Sequence, residues 1–288
     1  MLECVANFSE GRNLDAIQAI VSAMRSAAGA TVLGWEADQD HHRSVVTLAG
    51  AADAVLEGAV RGVGKAAELI DLAAHKGIHP RTGAADVVPF IPLNGSTMQD
   101  CVKVAHRAGE EIWSRFGVPV YFYEEAARIP ERRALQHVRR TGFDGRPPDV
   151  GDIAAHPTAG AVMVGARRFL IAYNINLATR DVKIAKAIAR RIRQSSGGFR
   201  FVKAIGLRLD SLDCAQVSMN LVNFAEIPLD TLYDTVLGEA ARHKTTIAES
   251  ELIGFVPRAA LQQAPEFFRR TRGFDESKVI ENRLLQSK

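Results

Sequence analysis

Sulfur and aromatic side chains are scarce in this sequence, with 3 cysteines, 2 tryptophans and 4 tyrosines among 288 residues. Cys4, Cys101 and Cys214 are odd in number, far apart and each followed by Val or Ala. Such spacing excludes a disulfide framework and does not suit a zinc site. It reads as three small buried hydrophobes in a reducing compartment. No apolar stretch approaches the roughly 20 residues that span a bilayer. The opening MLECVANFSEGRN puts polar and acidic residues where a signal peptide needs a continuous apolar run. A cytoplasmic protein that does not engage membranes is expected. Net charge is also low, +3, too little to imply nucleic-acid binding. The glycine spacing of a dinucleotide fold or a P-loop is missing, and so is a G-x-S-x-G elbow, which counts against nucleotide binding and covalent catalysis.

What is present is the composition of a packed globular chain, 47% apolar and 24% charged. The length suits two ordinary domains or one large one. Leu2 to Phe8 alternates as a strand, and Asn13 caps a helix from about Leu14 to Ala28 that Gly29 stops. Thr31 to Trp35 and Ser44 to Leu48 are short β-rich runs around the charged link Glu36 to Arg43. Ala51 to Ile70 has helical composition, and Val87 to Leu93 reads as a buried strand. Ser96 with Gln99 forms a capping box for a helix ending near Phe116, and Val118 to Tyr123 adds a strand.

The order then repeats. Phe169 to Ile175 is a strand, Arg180 to Arg193 a basic helix, and Phe201 to Leu209 and Ala215 to Val222 are strands. Leu229 to Arg242 is a helix opened by Pro228, Thr246 to Leu252 a strand, and Pro257 leads into a terminal helix. Two successive βαββαβ units predict an α/β (α+β) protein of two split-βαβ, ferredoxin-like lobes, 1–169 and 170–288. Between them, about Thr141 to Pro157 is rich in Gly and Pro and reads as a lobe-bridging or functional loop.

Three stretches carry chemistry. In His75-Lys-Gly-Ile-His-Pro-Arg-Thr-Gly-Ala-Ala-Asp86 the two histidines have i, i+4 spacing, but Gly77 and Pro80 oppose a regular helix and no clear third metal ligand is near. A loop imidazole between Lys76 and Arg81 suits acid/base work, because nearby cations lower a pKa that starts near ~6.5. Asp38-Gln-Asp-His-His-Arg-Ser44 sets Asp40, His41, His42 and Arg43 between two strands. Such a group either orients an imidazole and binds a carboxylate through the arginine fork or is an ordinary polar connection. The third is Gly151-Asp152-Ile153-Ala154-Ala155-His156-Pro157-Thr158-Ala159-Gly160, leading into Ala-Val-Met-Val-Gly-Ala-Arg-Arg168. Six arginines fall from Arg128 to Arg146, opposed in sequence only by Glu131 and Asp144. They read as a solvated helix face and loop, or as a steering surface for a small polyanion.

Together these stretches resemble one family. Glu3-Cys-Val-Ala-Asn-Phe-Ser-Glu-Gly11, Asp40-His-His-Arg-Ser-Val, the His75 stretch and Val118-Pro-Val-Tyr-Phe-Tyr-Glu-Glu-Ala-Ala-Arg128 are similar to the formiminotransferase domain. So are Gly165-Ala-Arg-Arg-Phe-Leu-Ile-Ala-Tyr-Asn-Ile-Asn-Leu177, Gln216-Val-Ser-Met-Asn-Leu221 and Glu251-Leu-Ile-Gly-Phe-Val-Pro257, so that almost the whole chain is covered in order. The resemblance implies two α/β subdomains whose sheets face one another around a substrate tunnel, and a homodimer formed through the N-terminal part. It makes His79, before Pro-Arg, the proton-transfer residue, and Gly151 to Gly160 the folate-contacting stretch. Asp40, His41, Arg43 and Arg81 are expected at substrate. The implied reaction moves a formimino group from formiminoglutamate to tetrahydrofolate as co-substrate, in histidine degradation and one-carbon metabolism, with no metal. A stand-alone transferase without a cyclodeaminase domain is expected. Ile78 and His42 stand where the family often has Glu and Asn. A formyl donor, a non-catalytic folate-binding protein and a metal-dependent hydrolase using the paired histidines are the alternatives.

Overall fold

The structure, a computed structural model, describes residues 1–75, 81–141 and 146–286, with the side chains of residues 140 and 141 outside the description. The chain divides into two compact units, Met1–Arg168 and Phe169–Lys288.

The first unit opens with β1 (Leu2–Phe8), α1 (Leu14–Arg25), β2 (Ala30–Asp38), β3 (Arg43–Gly50), α2 (Ala52–Leu69) and β4 (Ala85–Pro92). Strand alternation decides which face is buried: Leu2, Cys4, Ala6 and Phe8 of β1 join one cluster with Ile17, Ile20 and Met24 of α1 and Val60 of α2. The strands order as β4-β1-β3-β2, all antiparallel, which is the split-βαβ arrangement that the sequence predicts.

The sheet then grows beyond the repeat. After α3 (Met98–Phe116) come β5 (Val120–Glu124), α4 (Leu135–Thr141) and β6 (Val162–Ala166). β6 adds parallel to β4, and β5 adds parallel to β6, giving the order β2-β3-β1-β4-β6-β5. β6 was not among the predicted strands. Its run of Val, Met, Val, Gly and Ala is short and buried throughout, so no alternation marks it. On the opposite face, Val138 of α4 packs with Val87, Tyr121, Tyr123 and Met163 in a second, smaller cluster.

The second unit repeats the pattern with β7 (Ile171–Leu177), α5 (Val182–Ile192), β8 (Val202–Leu209), β9 (Cys214–Leu221), α6 (Leu229–Arg242) and β10 (Ile247–Ile253). Its order, β10-β7-β9-β8, is the same as β4-β1-β3-β2. Tyr173, Ile188, Val217 and Leu232 belong to its own core. The opposite side of the sheet carries a buried polar ladder. Gln216 donates to Asn176, and Asn174 and Asn176 donate to Glu251 and Glu249.

Two local expectations are corrected. The capping box of α3 is Thr97 with Asp100, not Ser96 with Gln99. The Ser96 N–H is used in a turn back to Leu93, and its hydroxyl takes the chain's ammonium, so capping falls one residue later. The single terminal helix is three short ones, α7 (Arg258–Gln263), α8 (Pro265–Arg269) and α9 (Ile280–Gln286). Pro265 starts a new first turn, and Gly273 at positive φ turns the chain again.

Candidate functional site

The polar residues singled out in the first unit converge where β1 ends, β2 turns into β3, and β4 begins. After Phe8 the chain runs through Glu10 and Gly11 into α1, where Asn13 caps the helix by accepting from the Ala16 N–H at 3.1 Å. The β2–β3 turn folds over this loop, with His42 at φ 49°. A Cβ on Gly11 would lie 2.1 Å from the Asp38 carbonyl oxygen and 2.4 Å from the Arg43 nitrogen, so only glycine permits this approach. The Gly11 N–H donates to Nδ1 of His42 at 3.1 Å, which puts the proton of the neutral ring on Nε2. Burial holds His42 below the ordinary imidazole range. Glu10 opposes this shift, and Arg12 and Arg81 reinforce it.

The ring of His75 lies 3.9 Å from that of His42, centroid to centroid. Arg81 locks the arrangement: Nη1 is 2.7 and 2.8 Å from the two ring nitrogens of His75, and the guanidinium donates to the carbonyls of His42 and His41 at 3.2 and 3.0 Å. Burial, then the Arg81 charge, then His42 drive the His75 pKa down to about 4. Two neutral imidazoles therefore stand beside a fixed cation. His41 is buried, with Nδ1 3.4 Å from Asp38, and Asp40 is half-buried in the same turn. His79 lies outside the described residues.

The stretch Gly151 to Gly160 divides into two parts. Residues 151–155 are exposed, and Ile153 is 60% exposed although apolar. Residues 156–161 instead bind backbone to both flanks of the His79 segment. The Thr158 carbonyl accepts from Leu72 at 2.9 Å, the Ala159 carbonyl accepts from Ala84 at 2.9 Å, and Ala161 donates to Thr82 at 3.0 Å. Gly160 adopts φ +69°, and a Cβ there would come within 2.3 Å of the Thr82 carbonyl oxygen. His156 is spent within this turn, its Nδ1 accepting from the Ala159 N–H at 3.1 Å. The tertiary fold thus brings the third chemical stretch onto the first, which Arg81 already ties to the second.

Arg43 leads to two residues that sequence reasoning passed over. Its Nε donates to Asn7 at 3.1 Å and its Nη1 to Asp86 at 2.8 Å. Asp86, wholly buried, also receives Arg139 of α4 at 2.5 Å and the Thr82 N–H at 2.8 Å. Asp86 ends the His75 stretch and Arg139 lies inside the basic run, and no sequence signal joins these positions 53 residues apart. The basic run is not one solvated face. Arg132 pairs with buried Asp149 at 2.6 Å and lies over the Tyr121 ring, and Arg128 reaches the Asp149 carbonyl at 2.8 Å. Of these arginines, Arg133 and Arg128 also keep exposed ion pairs expected of a surface, with Glu125 and Glu110.

Other chemistries find less to work with. The three cysteines are buried free thiols; burial pushes Cys4 far up and Cys101 up to about 12, which disfavours the thiolate. Among the described residues no three His, Cys, Asp or Glu side chains are grouped to hold a metal ion, and no helix is long and apolar enough to cross a membrane.

Comparison with known proteins covers both units. Residues 1–167 match the model of the formiminotransferase domain, N-terminal subdomain, and residues 172–284 match that of the formiminotransferase domain. The chain is 42% identical to a glutamate formimidoyltransferase from Streptococcus pyogenes serotype M1, over 99% of each chain. It is 40% identical to one from Thermoplasma acidophilum, over 99% of this chain and 97% of that one. A formimidoyltransferase-cyclodeaminase from Gallus gallus is 41% identical over 93% of this chain and 52% of its own length.

Proposed function

Because the chain belongs to the formiminotransferase family, we propose that it is a glutamate formimidoyltransferase, carrying the formimino group of N-formimino-L-glutamate to N5 of tetrahydrofolate. N5 attacks the amidine carbon of the donor, giving a tetrahedral intermediate. The bond from that carbon to the glutamate nitrogen then breaks. N5 must lose a proton and the departing amine must gain one. His79 performs both transfers in sequence, as a single imidazole of near-neutral pKa can. Neither a metal nor a covalent intermediate is needed. Alignment of the two substrates supplies much of the rest of the rate.

The observation that carries this reading is the backbone clamp between residues 156–161 and both flanks of the His79 segment. A folate held along Gly151 to Gly160 would thereby meet the proton-transfer residue. Exposed residues 151–155 leave their backbone groups to a ligand, while residues 156–161 fix its position. Arg43 and Arg81, with Asp40 and His41 in the same turn, are assigned to the anionic substrates. Both carry the positive charge that formiminoglutamate and the glutamyl tail of folate call for. The enzyme is proposed to work in the cytoplasm as a homodimer.

The test is release of glutamate from formiminoglutamate by purified protein, with and without tetrahydrofolate. Release is expected only with tetrahydrofolate. Release without it would mark a hydrolase, and folate binding without release would mark a non-catalytic protein. His79→Gln should lower kcat by about 10²–10⁴ with folate affinity nearly unchanged, the usual loss for a positioned acid/base. Near-normal kcat in that variant would move the role to another histidine.

A further inference from the structure

Asp86 occupies an irregular position. β1 and β4 pair as Asn7 with Val87 and Phe8 with Ala85, so Asp86 falls in the register shift between them. Such a bulge leaves one residue outside the ladder and turns its side chain to a different use. Here the carboxylate is wholly buried and, among the described residues, accepts three donors. Oδ1 takes the Thr82 N–H, and Oδ2 takes the guanidinium groups of Arg43 and Arg139. The two arginine side chains are themselves mostly buried, at 12% and 18% exposure.

Among the described residues the charges in this cluster do not balance. Two guanidinium groups share one carboxylate, and like charges crowd at the site. Arg43 is held below its ordinary pKa by burial, and the charges of Arg139 and Arg81 push the same way against Asp86. A buried surplus of positive charge is costly unless an anion completes it. Arg139 also has capacity to spare, since its Nε is buried without a hydrogen-bond partner among the described residues. An unsatisfied donor on a guanidinium, beside a second guanidinium, is half of a bidentate carboxylate site.

Resting on the transfer reaction above, we propose that Arg139 and Arg43, held together on Asp86, form the seat for a carboxylate of the amino-acid donor. Asp86 is the positioning residue of that seat. The donor is favoured over the folate tail by chain geometry. Asp86 fixes the backbone of Thr82, three residues after His79 in sequence, so one carboxylate holds both the seat and the residue that follows the His79-Pro-Arg motif. The carboxylates of formiminoglutamate lie only a few bonds from its reacting carbon. Those of folate lie beyond the whole aminobenzoyl arm. Arg43 thereby serves the donor, and α4 of the basic run carries a substrate contact.

Three measurements test this. In steady-state kinetics, Arg139→Gln should raise the donor KM by about 10- to 100-fold, the loss of one charge-assisted contact. The KM for tetrahydrofolate should change less than about twofold. Arg139→Lys, which keeps the charge but not the fork, should recover part of the loss. Donor analogues lacking either the α- or the γ-carboxylate identify the seated group. The analogue that lacks it should be poor for the native enzyme, and no poorer for Arg139→Gln. Calorimetric titration with L-glutamate alone reads the seat without turnover, and affinity should fall by a similar factor in Arg139→Gln. Circular dichroism confirms that the variants fold, and Arg139→Lys serves in both assays if Arg139→Gln does not. An unchanged donor KM, or equal losses for both substrates, overturns the seat. A native enzyme that binds glutamate through Arg139 yet releases none from formiminoglutamate overturns the transfer reaction instead.

Discussion

His42 and His75 show how much chemistry a few contacts can fix. Each ring is kept neutral by its surroundings: burial of both, the Arg81 guanidinium against His75, and Arg12 with Arg81 near His42. The sign of the pH effect follows. Above the ordinary imidazole pKa of ~6.5, the native and unfolded chains both leave His75 neutral, and it contributes no slope. Between there and about 4 the unfolded chain takes up a proton that the native one refuses, so stability falls as pH falls. Urea midpoints at pH 7.5 and 5 should therefore differ less in His75→Asn than in the native protein. A His75 ring resonance that titrates near 6.5 would contradict the packing against Arg81. The presence of these histidines was plain in the sequence, and so was the suitability of Arg43 and Arg81 for anions. That His42 and His75 touch, or that Arg81 binds the carbonyls of the β2–β3 turn, was not. Residues 33 positions apart in the chain meet through strand pairing, and no local pattern encodes that meeting.

At the scale of elements, capping and glycine geometry give the sharpest expectations. Thr97→Ala removes the oxygen that accepts the Asp100 N–H at 3.2 Å, and should cost about 1 kcal/mol in chemical denaturation. Ser96→Ala should cost less at this helix, since Ser96 is not its cap. Gly160→Ala meets both a left-handed φ and a carbonyl oxygen at 2.3 Å, and should loosen the clamp on the His79 flanks. Reduced kcat together with faster amide exchange at Leu72 and Ala84 would register it. In the native protein those two amides should already be slow without ligand, because each is bonded to the 156–161 segment. A folate analogue should add protection at residues 152–155 and little in α1. Protection confined to the second unit would place the folate elsewhere. The helices and most strands were legible because amphipathic periodicity and caps are local. β6 was not, since a fully buried parallel strand has no alternation to read.

Across the whole chain, the doubled βαββαβ order gives each unit a main core of its own. Ile17 belongs to one buried cluster and Leu232 to another, and neither residue appears in both. Ile17→Ala and Leu232→Ala should each cost about 2–5 kcal/mol. Hydrogen exchange should locate the first loss in residues 1–168 and the second in residues 169–288. A uniform rise in exchange from either substitution would mean that the two units open as one. Two repeats with one strand order also explain why the doubling was visible without any structure. Each repeat must bury its own sheet face, so each carries a complete set of alternating strands and amphipathic helices.

The sequence by itself determined the two split-βαβ units, the reading of its cysteines as structural, and a resemblance strong enough to name a reaction class. All of these rest on local periodicity or on runs of adjacent residues. Only the tertiary structure decided which charges meet. It placed Asp86 in a bulge between Arg43 and Arg139, sent Arg132 to Asp149, and tied residues 156–161 to Thr82 and Leu72. Those contacts join positions far apart in the chain. They are set by strand register and by the burial of charge, neither of which is written in any short stretch of sequence.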